Sequence, residues 1–468
     1  MKPAMRMVTV SVAALGSLAL SSVAVATNGY FTHGVGTESK GMAGTGIGSN
    51  GFSGPIIVAS NPALGVFADD GWEAGLSIFS PRRSYVASQS QLNGQFGSFS
   101  MAAGQIDSSS EYFPIPYVAK NWRLDGNRAL TVAFYGRGGM NTDWDSSAAS
   151  ATSPFCDPTG QAVVTGPGPY CSGEAGVDLM QAFLAVNYAG RVGDNFAWGI
   201  GPVLAFQAFE AKGVGAFAPI TESFVKGFLA GAPGPVTALT NNGHDYSYGL
   251  GVAGGVWFGL SENIGLGLSY QSRMSMSSFD DYADLFAGGG EFDIPSSVKA
   301  GVSFGNSESL RVNVDVEHTM YSEIDSVGNP MVNILGCPTT QSPQNPNPND
   351  IASCAGGIRG IGFGWEDMTT YKIGLEWAAS AANTFRVGAS YGEQPVQSAD
   401  VLINVLAPGV MEQHYTVGWT HRRDNGGAWT MSFMYAPETS VTGPNFFDPT
   451  QMIELKMDQF EFEVSYRW

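Results

Sequence analysis

The chain has 468 residues, 62 of them glycine, with 13% charged residues and a formal net charge of −19. Soluble domains carry roughly 25% charge, so an ordinary water-facing surface is excluded, and nucleic-acid binding, which wants a basic stripe, goes with it. No segment of the body is long and apolar enough for a membrane-spanning helix; low charge, abundant glycine and 12% aromatic residues then point to a transmembrane β-barrel.

At the start, Lys2 and Arg6 precede an apolar run from Met7 to Leu20, and Ala24-Val25-Ala26 forms an A-x-A cleavage site. Residues 1–26 read as a secretory signal peptide and are set aside from the fold. Residues 27–70 are dense in Gly and Ser and do not alternate like strands. Residues 46–51, GIGSNG, match G-x-G-x-x-G, but the strand before and the helix after that a dinucleotide site needs are missing. A compact segment of small side chains ahead of a barrel is expected to fold inside it, as an N-terminal hatch.

From residue 71 to 468 the sequence alternates, and short polar turns recur. DGNR (125–128), GDN (193–195), SEN (261–263), NSES (306–309), AAN (381–383) and DNGG (424–427) carry the residues that tolerate turn dihedrals. Six turns pair 12 strands; one strand before (about 72–87) and one after (about 453–468) make 14, the even count expected of a single-chain outer-membrane barrel. Both barrel ends then lie on the short-turn, periplasmic side. The longer segments 145–175, 214–243, 280–290, 325–364 and 444–452 face outward.

Individual strands carry the pattern. In SLRVNVDVEHTMY, Leu310, Val312, Val314 and Val316 share one face, while Arg311, Asn313, Asp315 and Glu317 share the other. The last ten residues, QFEFEVSYRW, set Phe460, Phe462, Val464 and Tyr466 against Glu461, Glu463, Ser465 and Arg467. Lys or Arg facing lipid costs about 2–4 kcal/mol at mid-bilayer, so the ionic faces are expected in the lumen and the apolar faces in lipid.

Two pairs of cysteines fall in loop sequence. In an exported protein they read as loop-closing disulfides, Cys156–Cys171 and Cys337–Cys354, other pairings remaining possible from sequence. Neither pair has the C-x-x-C spacing of a zinc site, and no metal or cofactor is expected. The five histidines stand in unrelated contexts and no G-x-S-x-G or H-E-x-x-H occurs, so no enzyme is expected.

Three stretches carry a family resemblance. SNPALGVF at 60–67 follows the small-residue run TESKGMAGTG at 37–46; LGLSYQSRMSMSSF at 266–279 is followed by FDIPSSVKAGVSF at 292–304; FRVGASYGEQPV lies at 385–396. Together these resemble the FadL family of outer-membrane long-chain fatty acid and hydrocarbon transporters. The resemblance implies a 14-stranded barrel closed by an N-terminal hatch (27–70), with Asn61, Pro62 and Ala63 as the family's Asn-Pro-Ala. It also implies a kink in the third strand, LTVAFYGRGGMNTDW, at Tyr135-Gly136. Gly138 and Gly139 add to it, since glycine often marks bulges. The chain departs from the family by ending in Trp468 rather than Phe, and the basic residues that meet a carboxylate do not align, which leaves neutral hydrocarbons open.

The expected transport path has three stations. The outer one is Phe217, Ile220, Phe224, Phe228 and Leu229, whose spacing suggests a short amphipathic helix, with Leu285 and Phe286 from the next loop. The second is a lumen pocket above the hatch, reached by Tyr30 and Phe31. Lys212, near the outer end of the fifth strand, is the expected carboxylate partner. The third is lateral exit at the kink. Long-chain fatty acids are the expected cargo, with aromatic or alkane hydrocarbons, or a general porin, as alternatives. Expected partners are outer-membrane lipid, lipopolysaccharide and the barrel-assembly machinery, for a monomer.

Overall fold

The structure is a computed structural model that describes residues 28–157, 160–232, 234–306, 308–340, 350–424 and 426–468. The expected signal peptide, 1–26, lies outside the described residues. Fourteen antiparallel strands form the wall: β1 (Gly71–Ala87), β2 (Phe113–Arg123), β3 (Arg128–Asn141), β4 (Gly176–Val192), β5 (Phe196–Lys212), β6 (Asp245–Ser261), β7 (Ile264–Gln271), β8 (Ser297–Gly305), β9 (Leu310–Thr319), β10 (Met368–Ala378), β11 (Asn383–Gly392), β12 (Gln413–Arg422), β13 (Ala428–Asn445) and β14 (Asp448–Arg467). Each pairs with its chain neighbour, and β1 pairs with β14 to close the barrel. The seam is tied at its periplasmic end by Trp72 N–H to Trp468 O (2.8 Å) and Trp468 N–H to Trp72 O (2.9 Å).

All six short turns fall where the turn residues place them, between β2–β3, β4–β5, β6–β7, β8–β9, β10–β11 and β12–β13. The alternation sorts the faces as expected: Arg311, Asn313, Asp315 and Glu317 are buried in the bore, while Leu310 and Val314 are exposed to the outside. In β14, Glu461 and Glu463 are buried and Phe462 is exposed. Exposed Tyr371, Tyr391 and Tyr435 and exposed Trp377, Phe385 and Trp429 bracket aliphatic residues on β10, β11 and β13, the two aromatic girdles of a membrane-embedded wall.

The wall is uneven. Strands β4, β5, β6, β13 and β14 run 17 to 20 residues, whereas β7, β8 and β9 run 8 to 10. Segments 272–296, 320–340, 350–367 and 393–412 roof the low side. Two outer connections, 88–112 and 393–412, were not expected from sequence, and 444–452 is not a loop. There β13 and β14 extend as one long hairpin, so that only Phe446 and Phe447 turn. The apolar run from Val401 to Met411 escaped notice because it neither alternates nor carries loop composition; in the structure it is buried throughout, folded down into the mouth of the barrel.

Residues 28–68 lie inside the bore, almost wholly buried. They form one short helical turn, α1 (Thr37–Lys40), and two 3₁₀ turns, Pro55–Ala59 and Pro62–Val66. Glycines on the inner wall let this backbone approach. A Cβ at Gly267 would stand 1.9 Å from Ile47 O, and one at Gly388 2.3 Å from the Met42 carbonyl carbon. Lumen-facing glycine is thus a seat for a hatch that has little side-chain volume of its own, and it accounts for part of the glycine excess.

Candidate functional site

Beyond the backbone bonds of its own turns, the hatch takes its partners from lumen side chains. Lys40 Nζ donates to Glu461 Oε1 (2.5 Å) and Glu463 Oε2 (2.6 Å) of β14. Asp315 Oδ2 accepts from Gly46 N (2.6 Å) and Ile47 N (3.1 Å). Lys372 Nζ donates to His33 O (2.8 Å) and Trp257 Nε1 to Gly48 O (2.9 Å). The Asn-Pro-Ala sits near the periplasmic end. Asn61 Oδ1 accepts from Ala63 N (3.0 Å), its Nδ2 donates to Ile47 O (3.0 Å) and Val256 O (3.2 Å), and Pro62 O accepts from Asn187 Nδ2 (2.9 Å). Asn61 therefore caps one turn of the hatch and ties it to both the hatch and the wall.

The third strand carries a bulge where the glycines stand. β3 and β4 pair through Gly136 and Ala182, then resume at Gly138 and Gln181, leaving Arg137 as the extra residue. On the other side, β2 and β3 pair only from Arg123–Ala129 to Tyr117–Tyr135. Beyond that, residues 113–116 of β2 stay with β1 and residues 136–141 of β3 stay with β4, so the wall has an unpaired seam.

Two residue types produce it. Leu124 N–H donates to Arg128 O (2.9 Å) across this pair, and ladder donors recur at every second residue. Continued along β2, that alternation arrives at Pro116 and Pro114, which have no N–H to give. The hatch takes the vacated edge. Gly139 N–H donates to Tyr30 O (3.0 Å), Thr32 N–H donates to Arg137 O (3.0 Å), and Phe31 pairs with Gly138 in a β-bridge. The Arg137 guanidinium stacks over the Phe31 ring at 4.6 Å and bonds Glu317 Oε1 at 2.9 Å. Tyr30, Phe31, Gly136, Gly138 and Gly139 thus share one locality, with Tyr135 beside them. The glycines were legible in the sequence; the prolines were an available signal that went unused.

The seven residues expected to form one outer surface are divided. Glu222–Leu229 is a helix, α2, capped by Thr221 Oγ1, which accepts from Phe224 N. Only Phe228 and Leu229 are exposed, with Phe224 half-buried and stacked on Phe228 at 6.3 Å. Phe217 is buried against Tyr170 (5.3 Å) and Phe99 (5.6 Å), and Ile220 against the Cys337–Cys354 region, its O accepting from Ala355 N (3.0 Å). Leu285 and Phe286 line a different place: a small apolar pocket under the roof, with Ile361, Phe363, Ile403 and Leu406. Burial raises the Asp400 carboxyl above its ordinary range; it accepts from Met331 N (2.6 Å) and pins the roof segment.

A second, small pocket under Ala407, Pro408 and Gly409 is lined by Gly29, Arg83, Met140, Asn141, Trp365 and Met457. It abuts the outer end of the seam through Met140 and Asn141. Tyr30, next to the lining residue Gly29, packs on Trp365 (5.8 Å) and Tyr321 (5.0 Å). Lys212 is not here. It stands half-exposed on the outer rim, paired with Glu174 at 3.4 Å, because it ends β5 on the tall side of the wall. Both disulfides, Cys156–Cys171 and Cys337–Cys354, lie in the outer loops. No group of His, Cys, Asp and Glu among the described residues is disposed to hold a metal.

A closed, lipid-facing barrel with a bonded hatch, stacked apolar pockets and a broken wall defines the class of outer-membrane transport proteins. Residues 165–445, more than half of the chain, match the family described as outer membrane protein transport protein (OMPP1/FadL/TodX), and the chain belongs to it. It is an outer-membrane protein of the Gram-negative type that transports hydrophobic substrates. The matched span excludes the hatch, so the Asn-Pro-Ala resemblance is independent of it. No curated protein matches the sequence. Among solved structures, the Pseudomonas putida toluene transporter TodX is similar at 16% identity and TM-score 0.61, covering 93% of this chain and 98% of its own. A Pseudomonas aeruginosa FadL homologue gives 13% and 0.61 (94% and 99% covered), and the Ralstonia pickettii toluene transporter TbuX 14% and 0.56 (93% and 98%). At these identities the likeness is one of fold.

Proposed function

We propose that this protein carries long apolar molecules, long-chain fatty acids first among them, through the outer membrane by a lateral route. Phe228 and Leu229 of α2 meet the cargo outside; Leu285 and Phe286 receive it in the roof pocket; the pocket beside Gly29 and Trp365 holds it next. Each transfer keeps apolar surface out of water, worth about 25 cal/mol per Å². Residues 27–70 act as a hatch that blocks straight passage. Exit is sideways, through the seam between β2 and β3, when Tyr30–Thr32 leave the edge of β3.

The observation that carries this reading is the exchange of partners at that edge. Where Pro114 and Pro116 cannot bond β3, the hatch bonds it instead, so the same few hydrogen bonds close the seam and hold the hatch next to the pocket. Replacing Gly136 and Gly138 with Val tests it. A Cβ at 138 would stand 2.2 Å from Gln181 Oε1 and 3.1 Å from Phe31, and one at 136 would stand 2.7 Å from Ile115. Fatty acid uptake is expected to fall at least about tenfold with surface expression kept, the scale of a displaced positioning element. Unchanged uptake sinks the lateral route.

A further inference from the structure

In residues 401–411, VLINVLAPGVM, only Asn404 has a polar side chain. Such a run in an outer connection needs cover, and the whole of it is buried in the mouth of the barrel. It makes one helical turn, Val401–Asn404, and joins no sheet. Among the described residues no backbone-to-backbone hydrogen bond ties it to the rest of the chain; Val405 N–H and Ala407 N–H bond Val401 O and Asn404 O within it, both at 3.1 Å. Side-chain donors of one neighbouring stretch hold it instead. Tyr170 OH donates to Leu402 O (2.8 Å), Trp144 Nε1 to Val405 O (3.0 Å) and Thr142 Oγ1 to Leu406 O (2.7 Å). Asn404 adds bonds to Trp365 and Phe363.

This segment is the partition between the two pockets. Ile403 and Leu406 face the roof pocket, while Ala407, Pro408 and Gly409 cover the inner one. A Cβ at Gly409 would stand 2.6 Å from the Trp365 ring and 3.5 Å from Gly29 O of the hatch, so the tip fills the space down to the hatch itself. With the segment in place neither pocket has room for more than about one water, and a long apolar molecule fits only if an element yields. The hatch is held by buried ion pairs and by backbone bonds to β3. The segment is held by neutral hydrogen bonds, the weaker kind, and by apolar contact. Apolar contact is what an incoming apolar chain supplies in exchange, leaving the walls dry throughout.

We infer that residues 401–411 are a built-in occupant of the cargo's own place: the protein is closed by its own apolar segment, and cargo enters by displacing it. The inference rests on the two pockets being cargo sites, as proposed above, and adds what fills them in the closed protein. Binding is then a competition, and the apparent affinity is the intrinsic one reduced by the fraction of molecules in which the segment has left. Whatever loosens the segment tightens binding. Removing a wall of a ready-made site does the opposite.

The test measures palmitate binding to the full-length purified protein in lipid nanodiscs. Thr142→Val with Tyr170→Phe keeps the shapes and removes two of the donors, and is expected to bind palmitate about tenfold more tightly than the wild type, the scale of two neutral hydrogen bonds lost from the closed form. Leu402→Ser with Leu406→Ser makes the segment a poorer competitor and is also expected to tighten binding, although it takes apolar surface away. Protease protection of residues 28–70 shows that each variant keeps its hatch; where the serine pair loses it, the isosteric pair decides alone. Affinity unchanged or weaker in a protected variant makes the segment a fixed wall, which overturns the inference and leaves the cargo sites standing. If neither the wild type nor the variants bind palmitate, the pockets are no cargo sites and both readings fall.

Discussion

Lys40 shows how single residues hold this molecule together. It belongs to the hatch, is buried, and bridges two carboxylates two residues apart on the inner face of β14. Glu461 also takes a hydrogen bond from Ser77 of β1, so the bridge spans the closing seam of the barrel. Removing the cation leaves two like charges facing each other in a dry bore. Lys40→Met is expected to destabilise hatch seating by about 3–5 kcal/mol, the cost of breaking a buried pair from one side. The measure is protease access to residues 28–70 in the purified barrel. Lys40→Met combined with Glu461→Gln and Glu463→Gln should recover much of the protection, and no rescue would mean that the bridge is not what seats the hatch. The carboxylates could be assigned to the lumen from the sequence, because a two-residue period leaves no other face for them. That Lys40 is their partner could not, since 421 positions separate it from Glu461.

At the scale of elements, β2 matters more than its length suggests. Its prolines withhold two ladder donors from β3, and the hatch strand Tyr30–Thr32 fills in. Giving β2 those donors back sets the two partners in competition. Pro114→Ala with Pro116→Ala is expected to zip β2 against β3 and lower uptake several-fold, each regained hydrogen bond contributing about 1 kcal/mol. Amide hydrogen exchange at residues 136–141 and uptake of labelled fatty acid check it, and faster uptake in the double variant would reverse the reading. The helix α2 is a milder case. Its capping Thr and apolar spacing were legible, but spacing says only that Ile220, Val225 and Phe217 share a preference for cover. The loops that provide cover, among them 351–355 and the tip at Phe447, come from distant parts of the chain, so a surface expected to be continuous is split into a buried half and an exposed pair.

For the whole molecule, what counts is that residues 28–68 occupy the bore. The bore is lined by Glu73, Arg311, Asp315, Glu317, Lys372, Glu376, Arg386, Glu461 and Glu463, all of them buried against residues 28–68 or each other. Deleting 28–68 removes the partners of this lining and floods it. The deletion variant is expected to conduct ions in planar bilayers in steps of porin size while the intact protein stays nearly closed. Equal conductance of the two would mean that the hatch does not occlude the bore. The fold was open to reading because its rules are local. Lipid on one side and a polar bore on the other impose strict alternation, and closure without an edge imposes paired strands and turns. Strand number, turn positions and the facing of every charged residue in SLRVNVDVEHTMY and QFEFEVSYRW follow from those conditions alone.

What the tertiary structure decided is where inward residues meet. The glycines of β7 and β11 are seats only because hatch residues 42–48 arrive over them. The break between β2 and β3 is sealed by residues 30–32 because the hatch happens to present a backbone edge there. These are properties of register and closure between segments hundreds of residues apart, and local hydropathy carries no information about them, since every partner satisfies the same inward rule.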